Sequence, residues 1–143
     1  MTKTLILALG FAFFACAAYT QKAHIDPKPF VLGESLEMNS LQLSEKRILH
    51  VYLPEGYQKD TMARFPVIYL LDGSANEDFI HVVGLVQFFF LQYNMPKTIV
   101  VGIANVDRKR DFTFPTTIAA DKEQYPTTGG SARFIDFLEM EVQ

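Results

Sequence analysis

Cysteine is almost missing from this sequence: among 143 residues there is one, Cys16. It falls inside the N-terminal leader described below, so the mature chain is expected to have no disulfide, no thiolate nucleophile and no cysteine metal site. An excess of positive charge is missing too. Thirteen Lys plus Arg stand against sixteen Asp plus Glu, a net charge of −3, and the broad positive field that gathers nucleic acid is absent. No nucleic-acid partner is expected. The three histidines, His24, His50 and His81, share no ligand spacing, so no metal is expected. What is present is the composition of a packed protein: 49% hydrophobic, 13% aromatic and 20% charged, too apolar for a disordered chain.

Residues 1–20 read as an export signal. Lys3 supplies the positive start, residues 5–14 the apolar run, and the small residues Ala15, Ala17 and Ala18 a peptidase site near positions 18–20. The apolar run is shorter than the ~20 residues a membrane span needs. A lipoprotein signal with Cys16 as the lipidated residue is the rival, but Phe13 and Phe14 fit that pattern poorly. The protein is therefore expected to be exported, to a periplasmic or extracellular place. About 120 residues remain for the mature fold, room for one domain.

Residues 21–33 hold two prolines, Pro27 and Pro29, without periodicity, and predict an extended entry segment. Residues 35–43 alternate through Leu36, Met38, Leu41 and Leu43, and residues 46–53 set Leu49, Val51 and Leu53 against Ile48, His50 and Tyr52. Two half-buried strands joined by a tight turn at Ser44 and Glu45 fit this pattern. Residues 65–71, Phe-Pro-Val-Ile-Tyr-Leu-Leu, form an almost continuous apolar run, which predicts a central strand covered on both faces. Phe79, Val82, Val83, Val86, Phe89, Phe90 and Tyr93 recur at helical spacing before Pro96, predicting a helix buried nearly all round, with Phe88, Phe89 and Phe90 as core. Residues 98–104 are a second two-sided strand. Beyond a polar loop, Ser131 is placed as the cap of a last helix with Phe134, Ile135, Leu138 and Val142 on one face. The expected fold class is α/β, with residues 34–143 forming a mainly parallel sheet, an antiparallel first strand pair and flanking helices.

Five segments in order carry a resemblance: Arg47-Ile-Leu-His-Val-Tyr-Leu-Pro-Glu-Gly-Tyr57, Phe65-Pro-Val-Ile-Tyr-Leu-Leu-Asp-Gly73, Ile99-Val-Val-Gly-Ile-Ala-Asn105, Asp107-Arg-Lys-Arg-Asp-Phe-Thr113 and Gly129-Gly-Ser-Ala-Arg-Phe134. Together they resemble the beginning of an esterase branch of the α/β hydrolases. That branch includes siderophore (enterobactin-type) esterases, esterase D-like S-formylglutathione hydrolases and mycobacterial mycolyltransferases, and the Asn-x-Asp-Arg-x-Arg-Asp-x-Thr segment looks most like its siderophore-esterase side. One departure is Phe114, which separates Thr113 from Pro115 where the family has Thr-Pro directly. Such enzymes attack through a serine on a Gly-x-Ser-x-Gly turn, with an acid and a histidine later in the chain. The nearest text here, Gly129-Gly130-Ser131-Ala132-Arg133, fails at its fifth position, so no catalytic residue is expected within these 143 residues. The resemblance implies the N-terminal half of an α/β-hydrolase domain, truncated before the nucleophile.

The same resemblance assigns an oxyanion donor to the backbone N–H of Ser74, in the loop Asp72-Gly73-Ser74 that ends the third strand. Arg108, Arg110 and Asp111 are either a loop clamp or substrate-facing groups. No cofactor is implied, and the partner of the complete protein is a small-molecule ester, a siderophore-type ester before an acylated sugar. The other reading is a non-catalytic exported binding or remnant domain with the same fold.

Overall fold

The computed structural model describes residues 24–58 and 62–143. The expected leader, residues 1–20, and its expected cleavage site lie outside the described residues. The chain divides into two units, residues 1–30 and 31–143. In the first, residues 24–30 are exposed and form neither helix nor strand.

The second unit holds a four-stranded sheet in the order β1-β2-β4-β3, built from β1 (Glu34–Ser40), β2 (Glu45–Tyr52), β3 (Val67–Leu70) and β4 (Ile99–Ile103). Two of the three pairings are antiparallel, β1 with β2 and β2 with β4, and β3 with β4 is parallel. The expectation of a mainly parallel sheet is corrected. A parallel pair needs a long crossover, and helix α1 (Phe79–Tyr93) is the one that joins neighbouring strands here.

Helices cover both faces. Because strand side chains alternate, Val100 of β4 meets Phe79, Val83 and Val86 of α1 on one face. Ile103 of β4 and Leu49 of β2 meet Phe134 and Phe137 of a later helix on the other.

The described sheet leaves β3 on its edge, correcting its expected central place. Ile68 and Leu70 pack toward α1, whereas Val67 and Tyr69 are exposed. An apolar run records that faces are suited to burial, not which strand lies alongside. Helix α1 is corrected in the same sense. Phe79, Val83 and Val86 are buried, but Phe88, Phe89 and Phe90 are 40 to 50% exposed; Phe88 and Phe89 touch each other and Tyr93, and Phe90 faces the Lys97 ammonium. A helix laid on one sheet buries only one stripe, spaced i, i+4, i+7. Asn94 ends it in the left-handed conformation (φ 55°) and donates its N–H to the Phe89 carbonyl, a usual stop before Pro96.

The β1–β2 connection is a four-residue turn, residues 41–44, and Glu45 already belongs to β2. Leu41 and Leu43, read as strand residues, lie in it. Ser44 takes the left-handed conformation at φ 57°, the Ser40 hydroxyl accepts the Leu43 N–H at 3.0 Å, and the Glu141 carboxylate accepts those of Leu41 and Gln42 at 2.8 and 3.0 Å. These side-chain bonds replace the strand ladder that alternation alone suggested.

The loop after β4 contains two short helices that periodicity did not reveal, α2 (Arg108–Asp111) and α3 (Ala119–Gln124). The last helix, α4 (Ser131–Phe137), runs into a π-helical turn, Leu138–Val142. Its cap position is taken by Gly130, and Ser131 is the first helical residue, its hydroxyl buried without a hydrogen-bond partner. The assignment of Ser131 as cap is thereby corrected. Gly130 is drawn into place by its N–H bond to the Arg110 carbonyl at 2.8 Å, which sets the helix start one residue earlier. Phe137, not Ile135, completes the buried face.

Candidate functional site at the ends of β3 and β4

Because β3 and β4 are parallel, their carboxyl ends lie side by side, the place where open α/β sheets bind ligands. The chain leaves β3 through Asp72, whose φ of 54° is a conformation that Asp tolerates better than most residues. Gly73 follows, buried, with its N–H donated to the Ile103 carbonyl at 3.0 Å. Its amide is thus committed to the sheet. The next amide, that of Ser74, is not bonded to the sheet.

Ser74 and Glu77 form a closed turn. The Glu77 N–H donates to the Ser74 carbonyl at 3.0 Å, and the Ser74 N–H donates to Glu77 Oε2 at 3.3 Å. The Ser74 side chain, together with Asn105, holds the Glu77 carboxyl below the usual carboxylate range. Asn105, just past β4, bridges two carboxylates through Nδ2: Asp72 Oδ1 at 2.7 Å and Glu77 Oε1 and Oε2 at 3.1 and 3.3 Å. Arg108 reaches Asp72 with two parallel bonds, Nε to Oδ1 at 2.8 Å and Nη2 to Oδ2 at 3.1 Å, the geometry that suits guanidinium and carboxylate best. That pairing lowers the Asp72 pKa and raises that of Arg108.

The trio Arg108, Arg110 and Asp111 is divided between two places. Only Arg108 stands at the site. Arg110 and Asp111 belong to an ion cluster between the sheet and α4. Arg110 holds Glu45 with two bonds of 2.9 and 2.6 Å and Asp111 with one of 2.7 Å. Asp111 pairs also with Arg47, whose side chain is fully buried and which reaches Glu45 at 2.8 Å. The Arg47 guanidinium lies 5.5 and 5.6 Å from the ring centres of Phe134 and Phe137, so the cation is held by carboxylates and aromatic faces together. Glu45 and Arg47 were missed in the sequence, as were Glu77 and Asn105. Arg47 left a signal: it shares the alternation parity of Leu49, Val51 and Leu53, and a charge at an inward position calls for a buried partner.

Among the described residues no group of three or more His, Cys, Asp or Glu side chains is arranged to hold a metal ion, and no helix is long and apolar enough to cross a membrane. Cavities of about 370 and 200 Å³ are lined by residues such as Val31, Leu53 and Tyr57, and Tyr52, Phe90 and Lys97. Neither includes residues 72–77.

The mixed α/β sheet with helices on both faces and a polar loop at its parallel strand ends is of the kind found in α/β-hydrolase-like proteins. The chain belongs to the family described as "Putative esterase", whose model matches residues 40–143. It is similar to an IroE-like serine hydrolase from Shewanella oneidensis, with 40% identity and a TM-score of 0.66, over 77% of this chain and 36% of that one. In fold it also matches the siderophore hydrolase EstA from Aspergillus nidulans (19% identity, TM-score 0.62, 84% of this chain and 44% of that one). The enterobactin esterase FES from Shigella flexneri matches as well, with 17% identity and a TM-score of 0.53 over 80% of this chain and 26% of that one. No curated protein matches the chain. The chain spans less than half the length of each of these three structures.

Proposed function

We propose that these residues are the N-terminal part of an exported serine hydrolase that cleaves an ester of a small molecule, a siderophore-type ester first, and that the Ser74 backbone N–H is one of its oxyanion donors. The observation that carries the reading is the occupancy of that N–H. It faces a carboxylate oxygen at 3.3 Å while its neighbour at Gly73 is spent on the sheet. A carboxylate oxygen stands in for the negatively charged oxygen of a tetrahedral intermediate, so the donor is presented where such charge can be met. Family membership supports ester hydrolysis, and the substrate guess leans on the siderophore hydrolases that share the fold.

In this proposal serine attack, acyl-enzyme formation and release by water use a nucleophile, acid and histidine from chain beyond these 143 residues. Residues 72–77 contribute the amide, and Asn105 and Arg108 hold their loop. The leader at residues 1–20 directs export.

The test begins with the genomic frame past codon 143. The longer product and the 143-residue chain are then assayed on p-nitrophenyl butyrate and on an iron-free trilactone siderophore. Turnover by the longer product alone is expected. Hydrolysis by the 143-residue chain, with an acyl group found on one of its serines, would overturn the division of the site. A folded longer product that hydrolyses neither compound would overturn the hydrolase reading.

A further inference from the structure

We propose that Glu77 is a resident competitor at the oxyanion position: its carboxylate occupies the Ser74 amide, and it must leave before the oxygen of a substrate can take that place. The inference rests on the esterase reading. One amide hydrogen serves one short, aligned acceptor, and two negative oxygens at one donor repel each other. Glu77 Oε2 now fills the position at 3.3 Å, and its carboxylate is held there by Asn105 Nδ2. Glu77 is nevertheless exposed, so an incoming ester can swing it into solvent without disturbing a core. The charged groups around it are Asp72, which repels it, and Arg108, which is tied to Asp72 by two bonds. Neither replaces the bonds that Glu77 would give up.

A purely structural account is available for the same contact. Ser74-Ala75-Asn76-Glu77 reads as Ser-x-x-Glu, the capping-box pattern, in which the glutamate returns to the backbone N–H of the serine. The two roles predict opposite signs. If Glu77 only caps the turn, its removal loosens the loop and slows turnover. If it competes for the donor, its removal speeds turnover.

The experiment compares the longer product with its Glu77→Gln and Glu77→Ala variants on p-nitrophenyl butyrate, with folding checked by circular dichroism. In parallel, the Ser74 amide is followed by ¹⁵N–¹H NMR through an acid titration. The expected result is a rise in kcat/KM of about 3- to 10-fold in both variants, a modest share of the effect of an oxyanion donor. The Ser74 amide should follow a carboxylate titration in the parent and lose that step in Glu77→Gln. A kcat/KM that is unchanged or lower in both variants, or an amide that titrates identically with and without Glu77, would overturn the competitor role while leaving the hydrolase reading intact. Absence of turnover in the parent and in both folded variants would overturn the hydrolase reading, and the competitor role with it.

Discussion

Gly73 and Gly102 meet backbone to backbone, and this contact seats the site loop on the sheet. A Cβ on Gly73 would come within 2.5 Å of the Gly102 Cα, and one on Gly102 within 2.5 Å of the Gly73 carbonyl oxygen and 2.6 Å of the Phe79 ring. Hydrogen takes the place of a side chain on both partners, so the Gly73 N–H can reach Ile103 and Ser74 is left as the outward donor.

Substitution at either glycine should therefore strain the backbone. Gly73→Ala and Gly102→Ala are each expected to cost about 1–3 kcal/mol of stability, as overpacked positions do. Urea melts of the purified chain measure this. A variant as stable as the parent would show that the loop can lift from the sheet without cost.

At Ser74, backbone and side chain can be separated. Ser74→Ala keeps the amide and should leave kcat of the longer product within a few-fold. Ser74→Pro deletes the donor and should cost about 10²- to 10³-fold, the usual size of a lost oxyanion donor. Proline also restricts the local backbone, so both variants need matching circular dichroism spectra. An alanine variant as slow as a folded proline variant would assign the work to the hydroxyl.

The buried pair of Arg47 and Asp111 should behave differently from the exposed pair of Lys46 and Glu37. Asp111→Ala leaves a buried guanidinium with less compensation and is expected to cost about 3–5 kcal/mol. Glu37→Ala, at a pair whose side chains are more than half exposed, should cost less than about 1 kcal/mol. Chemical denaturation of both variants gives the comparison; equal losses would mean that Arg47 finds other partners.

Asp72 supplies a pH-dependent contribution of known sign. Its pKa is lowered from 3.8 in the fold, chiefly by Arg108, so the folded state binds its proton less readily than the unfolded chain. The stabilisation is present above the ordinary value near 3.8 and is lost as pH falls through the lower folded value. Melting temperature measured from pH 6 down to 2.5 should fall more steeply in the parent than in Asp72→Asn, a residue that also accepts the left-handed backbone at this position. Parallel curves would remove Asp72 from the acid response.

Local pattern made much of this legible. The apolar spacing from Phe79 to Tyr93 marked α1 to the residue, since a helix repeats its burial within a few residues and writes it into the sequence. The run through Ile99–Ile103 marked a strand buried on both faces, as β4 is. The loop at residues 72–74 was singled out only through the esterase resemblance, not through any spacing along the chain. What such patterns do not encode is who lies beside whom. The antiparallel pairing of β2 with β4 follows from contacts between residues some fifty positions apart, the place of β3 from contacts 32 positions apart, and no spacing along the chain records those.

The polar networks belong to the same class of fact. Glu77 reaches Asn105 across 28 residues and Arg47 reaches Asp111 across 64. Arg47 shows by its inward parity that a partner is needed, but nothing along the chain names Asp111, and Glu77 and Asn105 read alone as an ordinary surface charge and amide. By itself the sequence determined α1, β4 and the esterase resemblance, because those depend on neighbours a few bonds away. Only the tertiary structure decided which amide at the end of β3 is spent on the sheet and which meets a carboxylate, because hydrogen-bond direction exists only once the two strand ends are brought together.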